Sequence, residues 1–95
     1  MQSIASVSTA HAARYMTQLC KHWAHKFPVT FDEASGRIEL PLGLCRLTVG
    51  PGVLGVVLEA ADDAGLLRLE DVVADHVNRF AHREGELAFA WTRTA

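Results

Sequence analysis

Gly43-Leu44-Cys45-Arg46-Leu47-Thr48-Val49-Gly50-Pro51-Gly52-Val53-Leu54-Gly55-Val56-Val57-Leu58-Glu59 is the stretch that decides the fold. Cys45, Leu47 and Val49 alternate with Arg46 and Thr48, and Leu54, Val56 and Leu58 alternate with Gly55, Val57 and Glu59. Successive side chains of a strand point to opposite faces, so each run reads as a half-buried strand. Gly50-Pro51-Gly52 breaks the chain between them. Upstream, Ile38 and Leu40 alternate with Arg37 and Glu39 before Pro41-Leu42-Gly43. Phe27, Val29 and Phe31 alternate with Pro28, Thr30 and Asp32, and Ala34-Ser35-Gly36 is expected to make the next turn. Four such runs predict an antiparallel meander with one buried face.

The flanks change period. Ala12, Tyr15, Met16, Leu19, Trp23 and Phe27 recur at three- and four-residue steps, which predicts a helix over about 10–25. Ser8-Thr9 offers its hydroxyl N-cap, and Pro28 stops it. Leu66, Leu69, Val73, Val77 and Phe80 form a second stripe, predicting a helix over about 63–83 that Asp62-Asp63 caps and Gly85 ends. Ile4–Val7 leans toward a strand before the first helix. Leu87, Phe89 and Trp91, alternating with Ala88 and Ala90, read as a closing strand. The expected order is β-α-β-β-β-β-α-β, an α+β two-layer sandwich with an antiparallel sheet and both helices on one face.

Ninety-five residues with 49% hydrophobic and 21% charged content suit one globular domain spanning 1–95. A net charge of −2 and a pI of about 6.2 give no electrostatic footprint for nucleic acid or an anionic membrane. No apolar run approaches the roughly 18 residues of a membrane-spanning helix, and the N-terminus lacks a signal pattern, so the reading expects a cytoplasmic protein. Cys20 and Cys45 are expected as reduced packing residues.

Chemistry concentrates in Leu19-Cys20-Lys21-His22-Trp23-Ala24-His25-Lys26-Phe27. His11, Arg14, Gln18, His22 and His25 follow at steps of three, four, four and three and share one stripe beside Tyr15. As a ligand face, this stripe offers His22 and His25 one turn apart, two imidazoles for one ion. His11 lies too far along the axis to join them, which leaves His76 and His82 to complete a metal site. A solvated polar helix face explains the same stripe and is preferred. Cys20 points away from His22 and His25, so no Cys–His nucleophile is expected. His76 borders its apolar stripe and is expected half-buried. His82-Arg83-Glu84 reads as a frayed, exposed helix end, and Trp23 as core. The far sheet face, with Leu44, Val53, Val57, Ala88 and Ala90 among Arg37, Glu39, Arg46, Thr48 and Glu59, suits a protein partner or a second copy. No P-loop, dinucleotide fingerprint or nucleophile elbow is present.

Four runs, Ala12-Ala13-Arg14-Tyr15, Leu19 to Phe27, Gly36-Arg37-Ile38-Glu39-Leu40 and Asp71-Val72-Val73-Ala74-Asp75-His76, are similar over nearly the whole chain to the bacterial domain of unknown function 2218. The resemblance implies a small bacterial domain with no assigned activity. It also implies association with siderophore-interacting flavin reductases, and so with iron. The element order is in turn similar to the TATA-binding-protein-like fold, which carries no function with it. The leading expectation is a binding or accessory module without catalysis. The alternative is a metal-binding protein using His22, His25 and His76, and an enzyme lacks a partnered carboxylate or activated nucleophile.

Overall fold

The sheet is fully antiparallel and reads β2-β3-β4-β5-β1-β6 across its width. Its strands are β1 (Gln2–Ser8), β2 (Val29–Phe31), β3 (Ser35–Leu40), β4 (Gly43–Gly50), β5 (Val53–Ala60) and β6 (Thr92–Thr94), with α1 (Ala12–Trp23) and α2 (Asp63–Phe80) between them. The structure is a computed structural model that describes residues 1–94. The predicted element order and α+β class hold, and the principal corrections fall at element ends.

β4 and β5 form the central hairpin in the predicted register, Cys45 opposite Leu58 and Leu47 opposite Val56. Gly50 faces Val53, leaving Pro51-Gly52 as a two-residue connection. Gly52 takes φ of 67°, and proline followed by glycine at positive φ is the requirement of a type II turn. Cys45, Leu47, Leu54, Val56 and Leu58 are buried beneath the helices, whereas Arg46 and Thr48 are exposed.

The β2–β3 turn lies two residues earlier than expected. The Asp32 carboxylate accepts from the Ala34 and Ser35 N–H groups at 2.8 and 2.9 Å, so Asp32-Glu33-Ala34 turns and Ser35-Gly36 opens β3. Those two N–H groups hold the Asp32 carboxyl below its ordinary range. Gly36 is buried under α1, where an added Cβ would lie 2.8 Å from the Cys20 sulfur. Glycine there is a helix-to-sheet contact rather than turn punctuation. Phe31, expected to face the core, is 41% exposed at the edge strand β2, which has a neighbour on one side only.

α1 begins at Ala12, two residues late. Thr9 is not its cap: His11 holds that position, and the Thr9 hydroxyl accepts from the His11 N–H at 3.1 Å. Past Trp23 the chain continues as a turn closed by Phe27 N–H on the Trp23 carbonyl at 2.9 Å. α2 matches its prediction at the start, where Asp62 accepts from Gly65 N–H at 2.8 Å. It ends at Phe80 and not at 83; Gly85, with φ of 89°, follows after one further turn.

The closing strand is displaced. Thr92–Thr94 pairs with Gln2–Ile4, and Leu87–Trp91 joins no ladder. Leu87 donates its N–H to Asn78 Oδ1 at 2.7 Å and tucks into the core, while Phe89 stacks on Trp91 at 5.6 Å. Alternation there reflects packing against the helix end, so Ala88 and Ala90 are not part of the open sheet face.

Candidate functional site

α1 and α2 lie side by side on the sheet, and His22 of the predicted histidine stripe lies at their seam. Trp23 is buried at 6% exposure, in the core as expected, and its ring centroid is 4.9 Å from that of His76. His22, exposed on the same turn of α1, lies 5.2 Å from His76 and 6.2 Å from Phe80. The seam therefore gathers two imidazoles over an indole and a phenyl ring. His76 Nδ1 is 2.7 Å from the Val72 carbonyl oxygen. A carbonyl only accepts, so Nδ1 carries the proton and Nε2 presents a lone pair whenever the ring is neutral. That contact is the one hydrogen bond of the ring among the described residues. No buried side-chain nitrogen or oxygen there lacks a partner, so Nε2 is not sealed from solvent.

The rest of the stripe does not join this pair. His25 lies beyond the end of α1 and is exposed, as is Gln18. His82 sits past α2 with its ring against the Arg79 carbonyl at 3.1 Å. Among the described residues no three histidine, cysteine or carboxylate side chains are grouped to hold a metal ion. Of the set His22, His25 and His76, the structure brings together the first and third.

At the other end of α1, His11 and Arg14 border a hollow of about 240 Å³ with Tyr15, Phe80, Arg83 and Glu84. The Tyr15 hydroxyl donates to Glu84, whose carboxylate also accepts from the Thr9 hydroxyl at 3.0 and 3.1 Å. The Tyr15 hydroxyl, with Thr9 and the nearby His11, holds the Glu84 carboxyl below its ordinary range; in return Glu84, together with burial, raises the Tyr15 phenol. Glu84 is thus anchored, which corrects the frayed end expected there, while His82, Arg83 and Glu84 are exposed as expected. The signal was absent from the local sequence because the partners lie about seventy residues upstream.

A second polar cluster was also missed. Glu70 is 5% exposed and accepts from Arg93 Nε at 3.1 Å and Nη2 at 2.9 Å, with the Ser3 hydroxyl at 2.5 Å. These donors outweigh burial and lower its pKa. Its position was legible: Glu70 lies four residues after Leu66 and three before Val73, inside the apolar stripe. Both cysteines are buried and free; burial pushes the Cys20 thiol up to about 11 and raises that of Cys45. Raised thiols are poor nucleophiles, in keeping with packing roles.

On the open sheet face Arg37 pairs with Glu39 at 3.3 Å and Arg46 with Glu59 at 2.8 Å. Half-buried Val57 and exposed Ile4 stand opposite one another in the centre. No described helix is long and apolar enough to cross a membrane.

The family described as "Uncharacterized protein conserved in bacteria (DUF2218)" matches residues 4–92. The NMR structure of PA4090 from Pseudomonas aeruginosa is similar, at 37% identity and a TM-score of 0.81, with 96% of this chain and 94% of that chain covered. Comparison with curated proteins yields no match.

Proposed function

The chain belongs to the DUF2218 family of bacterial proteins, and we propose that it acts as a single-domain binding or accessory module in the cytoplasm, without catalysis of its own. The role we assign it is in iron or siderophore metabolism. What supports a ligand contact at the helix seam is the meeting of His22 with His76 at 5.2 Å, above Trp23. An acceptor nitrogen, a second imidazole and an aromatic wall suit a flat, hydroxyl-bearing ligand such as a free catechol. His11, Arg14 and Gln18 extend that contact along α1. Titration with metal-free 2,3-dihydroxybenzoate tests the reading by NMR. Saturable shifts at the His22, Trp23 and His76 side chains are expected; no saturable shift overturns it.

A second reading, a metal site using His22, His25 and His76, is favoured by the same short separation. It needs ligands beyond the pair that meets, since structural zinc sites take four. The protein contact in this proposal is the open sheet face, and its occupant is a siderophore-interacting flavin reductase. Light scattering with such a reductase should give a heavier complex. A chain that dimerises alone assigns the face to a second copy, and a monomer that ignores the reductase overturns the partner. Nucleic acid is not expected to bind, given the net charge of −2.

A further inference from the structure

A hollow of about 430 Å³ opens between the end of α1, the β3–β4 turn and the first turns of α2. Trp23, Phe27, Leu40, Leu42 and Leu69 give it apolar walls, and Arg68 stands at its rim. Trp23 and Leu69 are buried and Phe27 and Leu40 half-buried, so the walls are supported from behind by the core. Leu42, 39% exposed, and the exposed Arg68 mark the mouth. The volume lies within the roughly 300–1,000 Å³ of small-molecule sites, which are characteristically apolar with a few polar groups.

Charge selects the occupant. Arg37, Arg46, Arg79 and Arg93 each have a carboxylate partner, whereas Arg14, Arg68 and Arg83 are in no ion pair among the described residues, and of these three Arg68 lines this hollow. A guanidinium presents a fork of donors matched to a carboxylate. We infer that this hollow binds a small organic acid, an apolar body against Phe27, Leu40 and Leu42 with its carboxylate on Arg68. This site goes beyond the histidine reading and shares only Trp23 with it. A peptide or second copy would need a longer surface than one walled hollow with a single charge.

The test titrates isotope-labelled chain with 2-naphthoate and, separately, with its neutral methyl ester. Saturable naphthoate shifts are expected at residues 40–42, at 68–72 and at the Trp23 indole N–H, with Arg46 and Thr48 of the sheet face unmoved. Arg68→Gln should weaken naphthoate by about tenfold or more and the ester by less than about twofold, since only the acid uses the guanidinium. Leu42→Asp should weaken naphthoate similarly by placing a like charge at the mouth. Both substitutions are at exposed positions, and dispersed spectra of the variants verify folding. Absence of saturable shifts, shifts centred elsewhere, or naphthoate binding unchanged by Arg68→Gln would each overturn the assignment. Shifts confined to His22 and His76 would do so too, while leaving the seam reading intact.

Discussion

Two polar clusters lie on different sides of α2, and they differ in how completely their groups are partnered. On the sheet side, the Glu70 carboxylate has two Arg93 donors and the Ser3 hydroxyl. On the α1 side, His76 has one nitrogen committed to Val72 and the other open beside His22. A buried charge with every partner in place fixes structure, here by clasping β6 and β1 to α2. A half-buried ring with a free acceptor keeps its chemistry available. Completeness of partnering, more than burial, distinguishes a strut from a candidate contact.

The seam's dependence on its aromatic floor gives the largest expected effect. Trp23→Ala should cost about 3–5 kcal/mol, the usual large-to-small penalty, because Trp23 is core first and seam second. Urea melts measure it. A loss below about 1 kcal/mol would make Trp23 a free stacking platform and blur the two clusters into one kind.

Glu70→Ala should follow at about 3 kcal/mol, since it strands Ser3 and Arg93. Arg93 can turn partly to solvent, which keeps the loss from the top of the range. The same substitution should leave the His22 and His76 resonances unmoved. Coupled shifts there would show that the strut also positions the seam.

Acid should expose the clasp in wild type. The folded-state pKa of Glu70 is lowered, so its contribution is fully present above the unfolded value near 4.5 and is lost as pH falls through the folded value. Glu84 acts with the same sign. Melting temperature should therefore drop as pH falls below about 4.5, with a shallower drop in Glu70→Gln. Equal slopes in both would remove Glu70 as an acid-labile strut.

The sheet and the seam were unequally legible. Alternation over residues 43–59 and the two helical stripes carried the fold because period and burial are local properties of the chain. Element ends shifted where a side chain replaced a ladder, as when Asn78 captured the Leu87 N–H and displaced β6. The histidine stripe was readable on α1, and His76 and His82 were the two histidines expected to meet it; that His76 is the one beside His22 depends on how the helices are set against each other. Glu70 could have been found as a carboxylate within an apolar stripe, whereas Arg93, twenty-three residues on, carried no local mark.

The smallest stability effect is expected at the seam's exposed edge, and it sharpens the comparison most. His22 and His25 are exposed and hold no side-chain hydrogen bond among the described residues. Replacing both with Gln should therefore change stability by no more than about 0.5 kcal/mol, as exposed substitutions do. Metal would alter this outcome, because an ion bound to the native state stabilises it by mass action. Zinc added to wild type would then raise the melting temperature, chelator would reverse the rise, and the double variant would show neither. With only His22 and His76 meeting, no zinc-dependent shift is expected in either protein. A shift confined to wild type would instead show that His25 swings in to complete a site, and would turn the open cluster into a metal centre.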